Sequence, residues 1–201
     1  MKYFVPILFC LFIVIGLNAQ DKKMAKKDMP YYEIPAYPKK YSSGNIVARM
    51  IDGLGYRYFW ATDELRSEDL AYKPSDDSRD AAHTLDHIYH LAGTILMASK
   101  GEPNVRPLPK EELTWEQKRL KTLQRLKAAS DNFKSKKKKA VKNDKLIFES
   151  GGEQRSFPLW NLINGPIADA IYHTGQIVAY RRASGNPINS KVNVFTGKNR
   201  E

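Results

Sequence analysis

Cysteine is nearly missing from this chain. Its 201 residues include one, Cys10, inside the apolar run Phe4 to Leu17 near the N-terminus. Met1-Lys2-Tyr3 places one positive charge before that run, and Leu17-Asn18-Ala19-Gln20 closes it with small and polar residues. A run of this length falls short of the roughly 20 apolar residues that span a bilayer and has the form of a secretory signal. Cleavage is expected after Ala19, which makes the protein exported, periplasmic or extracellular, and takes Cys10 away with the signal. Phe9 precedes Cys10 where a lipoprotein signal needs a small residue. Without a thiol in the remainder, a disulfide scaffold, a thiolate zinc site and a cysteine nucleophile are excluded. Any metal must then be held by His, Asp, Glu or water.

Other signatures are lacking too. No phosphate-binding glycine loop, serine nucleophile elbow or paired-carboxylate pattern is present. The basic residues carry no interleaved aromatics of the kind that stack on bases, so nucleic acid is not an expected partner. What is present is ordinary globular composition, 42% hydrophobic and 27% charged with mean hydropathy −0.54, enough for one core. The formal charge is +11, and losing Lys2 with the signal would leave +10. Much of the excess lies in Lys134 to Lys142, which reads as a solvated helix end. The alternative is a weak contact of Lys136–Lys139 with an anionic surface.

Along the chain, residues 20–42 carry Pro30, Pro35 and Pro38 among tyrosines and lysines, which predicts an extended lead-in. Four helical stretches follow. Val47, Met50, Ile51, Leu54, Tyr58, Ala61 and Leu65 recur at three and four, with Ser42-Ser43 as caps, and Gly53 and Gly55 suggest close packing against another helix. The second stretch opens near Ser78 and stops at Gly101, with Leu85, Ile88, Leu91, Ala92, Ile95 and Leu96 on its apolar face. The third runs from Glu111 into the lysine cluster with Leu113, Leu120, Leu123, Leu126 and Phe133 inward. A short hairpin around Gly151-Gly152 is predicted before the last helix, Trp160 to Ala183, in which Pro166 marks a kink or a fresh start. The fold class is therefore all-α, a four-helix bundle with a short hairpin before the last helix. It is preceded by the signal peptide (1–19) and the lead-in (20–42), and followed by a C-terminal extension (188–201).

All four histidines fall on helices two and four. At about 100° per residue, His87 lies about 40° from His83 toward the apolar arc, while His90 turns the other way, toward solvent. Asp169 and His173 stand four apart on helix four, with Gln176 next along the stripe. An Asp-x-x-x-His pair and a histidine from a facing helix could give three ligands to one divalent ion. The same spacing also suits an ordinary hydrogen-bonded pair and a packed histidine.

Tyr72-Lys-Pro-Ser-Asp-Asp-Ser-Arg-Asp-Ala-Ala-His-Thr-Leu-Asp-His87-Ile-Tyr-His-Leu, continuing to Ala98-Ser-Lys-Gly-Glu102, resembles the second-helix region of DinB-like proteins. His173-Thr-Gly-Gln-Ile-Val-Ala-Tyr-Arg-Arg-Ala-Ser-Gly-Asn-Pro187 is similar to that family's last-helix pattern, and the resemblance spans residues 43–187. It implies a four-helix bundle holding a divalent metal through three histidines. Carried onto this sequence, His87 matches the first and His173 the last, while the middle position is Asp169. Zinc or nickel is the first expectation for the ion, with manganese or iron as alternatives. The resemblance makes His90 a reserve ligand or a group bonded to one, and Tyr172, Gln176 and Tyr180 residues that shape the pocket. It points to a metal-dependent hydrolase or thiol transferase, the alternative being a non-catalytic cell-envelope module that binds a metal, a ligand or an anionic surface. It also admits a homodimer, for which Gly53 and Gly55 would permit close contact. No catalytic residue beyond the ligands and no particular small-molecule ligand is assigned.

Overall fold

The computed structural model describes residues 25–136, 141 and 143–201. The expected signal peptide, with Cys10, and Lys137–Lys139 of the basic run lie outside the described residues.

Three of the long helices begin where a side chain satisfies a free N–H group of the first turn. Helix α1 (Ser43–Ala61) is capped by Ser42, whose hydroxyl accepts from the Asn45 amide. A short α2 (Ser67–Ala71), absent from the sequence reading, follows. Helix α3 (Ala81–Lys100) starts three residues later than expected because Asp80 accepts from the His83 amide, and it stops at Gly101, in left-handed conformation. Helix α4 (Trp115–Ser135) begins four residues after the expected Glu111, at a reciprocal cap between Thr114 and Gln117.

The hairpin forms as β2 (Lys145–Ser150) and β3 (Glu153–Pro158), turning at Gly151 and Gly152, both at positive φ. It gains a third strand beyond the expected hairpin: β1 (Asn104–Arg106) pairs in parallel with β2, Asn104 opposite Phe148. A segment of three residues between Pro103 and Pro107 is too short to show strand alternation, so its pairing depends on the hairpin edge beside it. The molecule is thus mostly helical with a small three-stranded sheet.

The last helix is broken. After α5 (Trp160–Leu162), residues Ile163–Ile167 form a wide π-type turn, Gly165 leaves helical geometry, and α6 (Ala168–Ala183) begins. Pro166 has no N–H for the helix ladder, and the chain reorients there.

Helices α1 and α3 each pack against both α4 and α6, closing a ring of four around one core. Ile51, Leu54, Phe59, Ile88, Ile95, Leu123, Leu126, Phe133 and Ile177 fill it. Gly55 does not meet another helix, as its sequence context suggested. The Tyr31 ring of the lead-in lies against it, and Tyr31 Oη donates to Asp52 Oδ1, 3.1 Å away. Asp52 in turn pairs with Lys134 at 2.8 Å. Ile34 N donates to Gly197 O, and Tyr56 Oη donates to Asn199, so the lead-in and the C-terminal residues lie side by side over α1.

The far end of α6 is held by a polar lock. The buried guanidinium of Arg181 donates to the carbonyls of Trp60, Ala61 and Asp63, the free end of α1, and to Asn186 O. Asp69 of α2, 1% exposed, accepts from Arg66, Ser184 and Asn186. Burial alone would raise the Asp69 carboxyl, but those hydrogen bonds hold it well below the usual carboxylate range.

Two outcomes are expected. An alanine Cβ at position 55 would lie 2.3 Å from the Tyr31 ring. Gly55→Ala should therefore destabilise the fold by about 1–3 kcal/mol in urea titration. In a Tyr31→Ala background the same change should cost much less. Because Asp69 is depressed in the folded state, its stabilisation is complete above the ordinary carboxylate value and is lost as pH falls below it. Between about pH 5 and pH 2.5, Asp69→Asn should lose less stability than the unmodified chain.

Candidate metal centre

Helix α3 supplies His87, and the first two turns of α6 supply Asp169 and His173. Placing Asp169 in the opening turn depends on the break at Pro166, from which α6 restarts against α3. Asp169 and His173, four apart, share one face. His87 Nε2 lies 3.0 Å from Asp169 Oδ2, and His173 Nε2 lies 3.2 Å from Asp169 Oδ1. One donor atom from each of the three residues falls within 4.8 Å of the others, a group that could hold a metal ion. The two imidazoles meet edge to face, ring centroids 4.8 Å apart.

Hydrogen bonding defines which nitrogen faces the centre. His173 Nδ1 lies 2.7 Å from Gln176 Oε1, and the Gln176 amide nitrogen donates to Tyr172 Oη at 3.3 Å. An amide oxygen only accepts, so His173 Nδ1 carries the proton. In a neutral ring, Nε2 then presents its lone pair to the Asp169 carboxylate. Two acceptors at 3.2 Å repel unless a cation lies between them or the ring takes a second proton. A divalent ion meets that requirement. Ligands at about 2.1 Å from a shared ion sit roughly 3.0–3.5 Å from one another, the range of the two carboxylate contacts, one made by each Asp169 oxygen. Side-chain exposure of 19% for His173, 35% for His87 and 39% for Asp169 leaves the cluster open on its outer side, toward solvent. Two imidazoles and a carboxylate on one side of an ion leave positions for water or a ligand on the other.

The other residues named from sequence divide. Gln176 and Tyr172 belong to the cluster as the chain that orients His173. Tyr180 stacks on Tyr72, centroids 5.6 Å apart. His83 is exposed and pairs with its own capping residue, Asp80, at 2.8 Å. His90 lies on the other flank of α3, along a cleft it shares with Arg106 and Lys118. Sequence reasoning did not single out Arg181 or Asp69, which anchor the far end of α6. The clue was an arginine inside an otherwise apolar helix stripe, Tyr180-Arg181-Arg182, just before a Gly185 turn.

A family model described as the DinB family matches residues 55–190, which contain every residue of the cluster. No curated protein and no solved structure gives a match.

His87→Ala and His173→Ala are each expected to weaken binding of a divalent transition metal at least a hundredfold by titration calorimetry, and His83→Ala to leave it unchanged. Gln176→Ala, which frees the His173 ring to rotate, should weaken it by about ten- to a hundredfold.

Proposed function

This chain belongs to the DinB family, and from that premise we propose that it holds one divalent metal ion through His87, Asp169 and His173 and acts as a metal-dependent hydrolase outside the cytoplasm. The observation that carries the reading is the Asp169 carboxylate facing His173 Nε2 at 3.2 Å while His173 Nδ1 bonds Gln176 Oε1. A bound ion would lower the pKa of a water or thiol and stabilise the anion formed. Around it, the chain's own groups orient and exclude. Gln176 fixes the His173 ring, Asp169 places one oxygen toward each imidazole, and Tyr172, exposed beside the ring, presents an aromatic face and a hydroxyl to whatever approaches. Asp169 gives the centre one more negative charge than the three-histidine set the resemblance implies, which favours harder ions and an oxygen nucleophile. Transfer to a low-molecular-weight thiol is the other chemistry such a centre suits, and an exported protein meets few such thiols.

A non-catalytic metal- or ligand-binding module of the cell envelope is the second reading. It is favoured by the cluster itself, which among the described residues brings together Asp169 and the two histidines with no further His, Asp or Glu in the group.

Purified chain should retain close to one equivalent of zinc, nickel, manganese or iron after reconstitution and desalting, and Asp169→His should retain it with a shifted preference. Less than about 0.2 equivalents of any of them would overturn metal binding. With metal present, chelator-sensitive turnover of ester or amide substrates supports the hydrolase. Stoichiometric metal without such turnover supports the module.

A further inference from the structure

Helix α3 has a second flank. Beside the flank that carries His87, between α3 and α4 and under β1 and the loop that follows it, lies a cleft of about 700 Å³. Its volume is in the range of small-molecule sites, which run from about 300 to 1,000 Å³. None of its lining residues belongs to the cluster of His87, Asp169 and His173.

The cleft is apolar in its walls and cationic in its charge. Met97 of α3 and Leu108 of the loop supply apolar surface, and the charged lining is Arg106, Lys110, Lys118 and Arg125 against Glu111 and Glu112, with His90 beside them. Some of that charge is already spoken for. Lys118 pairs with Asp86 at 2.7 Å, and Arg125 lies over the Tyr89 ring and 3.7 Å from Glu111, which also accepts from Tyr89 Oη and Lys121. Among the described residues Arg106 makes no ion pair and no side-chain hydrogen bond, although it is half-buried. Its position is built. Asn104, buried two residues earlier on β1, donates to Thr94 of α3, and strand alternation puts Arg106 on the same face as Asn104. An anion in the cleft would complete it with the charge-assisted hydrogen bonds that its neighbours among the described residues do not supply. The field of these cations is felt at His90. Burial first, then Arg106, Arg125 and Lys118, hold its imidazole below the ordinary value against the opposing pull of Asp86.

We propose that this cleft is a binding site for a small organic acid, whose anionic head meets Arg106 and Lys118 and whose apolar body rests on Met97 and Leu108. The head supplies the counter-charge that Arg106 lacks, and the walls exclude water from the pair, which strengthens it.

The test uses 8-anilino-1-naphthalenesulfonate, an apolar body with an anionic head, and its uncharged skeleton N-phenyl-1-naphthylamine, titrated into the chain by fluorescence. The sulfonate should bind at least about tenfold more tightly than the uncharged dye, and Arg106→Gln should remove that advantage. His87→Ala should leave it intact, as should Ile46→Ser in the separate surface groove beside Tyr41. In the unmodified chain the His90 ring, followed by NMR, should titrate at higher pH when the sulfonate is bound, a readout that does not depend on any variant folding. Equal affinity for the two dyes, no response to Arg106→Gln in a variant with unchanged melting, loss of binding on Ile46→Ser or His87→Ala, or an unmoved His90 titration would each overturn the proposal.

Discussion

One carboxylate positioned between two imidazoles organises this molecule's chemistry. Asp169 directs an oxygen to His87 on α3 and another to His173 on its own helix, at 3.0 and 3.2 Å. With His173 Nδ1 bonded to Gln176, the nitrogen and oxygen that face each other are both acceptors in a neutral ring, and the contact is favourable only with a cation between them or a second proton on the ring. Everything that fixes α6 against α3 therefore bears on whether the cluster can hold an ion.

Two features supply that fixing, one at each end of α6. At its start, Pro166 and Gly165 break the helical ladder, so Asp169 emerges in the first turn of a helix set by its packing on α3 rather than by continuation from Trp160. At its end, Arg181 ties the helix to the carbonyls of α1, and Asp69 ties the following turn to α2. A buried guanidinium with four carbonyl partners and a buried carboxylate with three donors are costly to desolvate and costlier to leave without partners, which makes the lock specific in register. The face between these ends that carries the cluster can stay partly open to solvent because the positioning is done elsewhere.

Helix α3 divides its duties by face. His87 points toward α6 and the cluster, while His90, three residues on, borders the cationic cleft against α4. Three residues along a helix amount to a net turn of about 60°, enough to move a side chain from the edge that meets α6 toward the edge that meets α4. The small sheet contributes to the second flank through its edge: β1 pairs with β2, and that pairing carries Arg106 to the cleft.

Much of this was legible in the residues themselves. The three- and four-residue recurrence of Val47, Ile51, Leu54 and Tyr58, and of Leu85, Ile88, Ala92 and Ile95, marked two helices and their buried faces, because an apolar stripe at that period has one way to leave water. The spacing of Asp169 and His173 put them on one face, and the wheel placed His87 nearer the interior than His83. Local caps shifted the helix starts by a few residues, since Asp80 and Thr114 compete with propensity over single turns. What sequence could not supply was anything that depends on a neighbour distant along the chain. The Tyr31 ring on Gly55, the third strand, the counter-charges of Arg181 and Asp69, and the meeting of His87 with Asp169 across 82 positions are fixed only when separate helices pack. Periodicity determines which face of each helix is buried, and packing alone decides which faces meet.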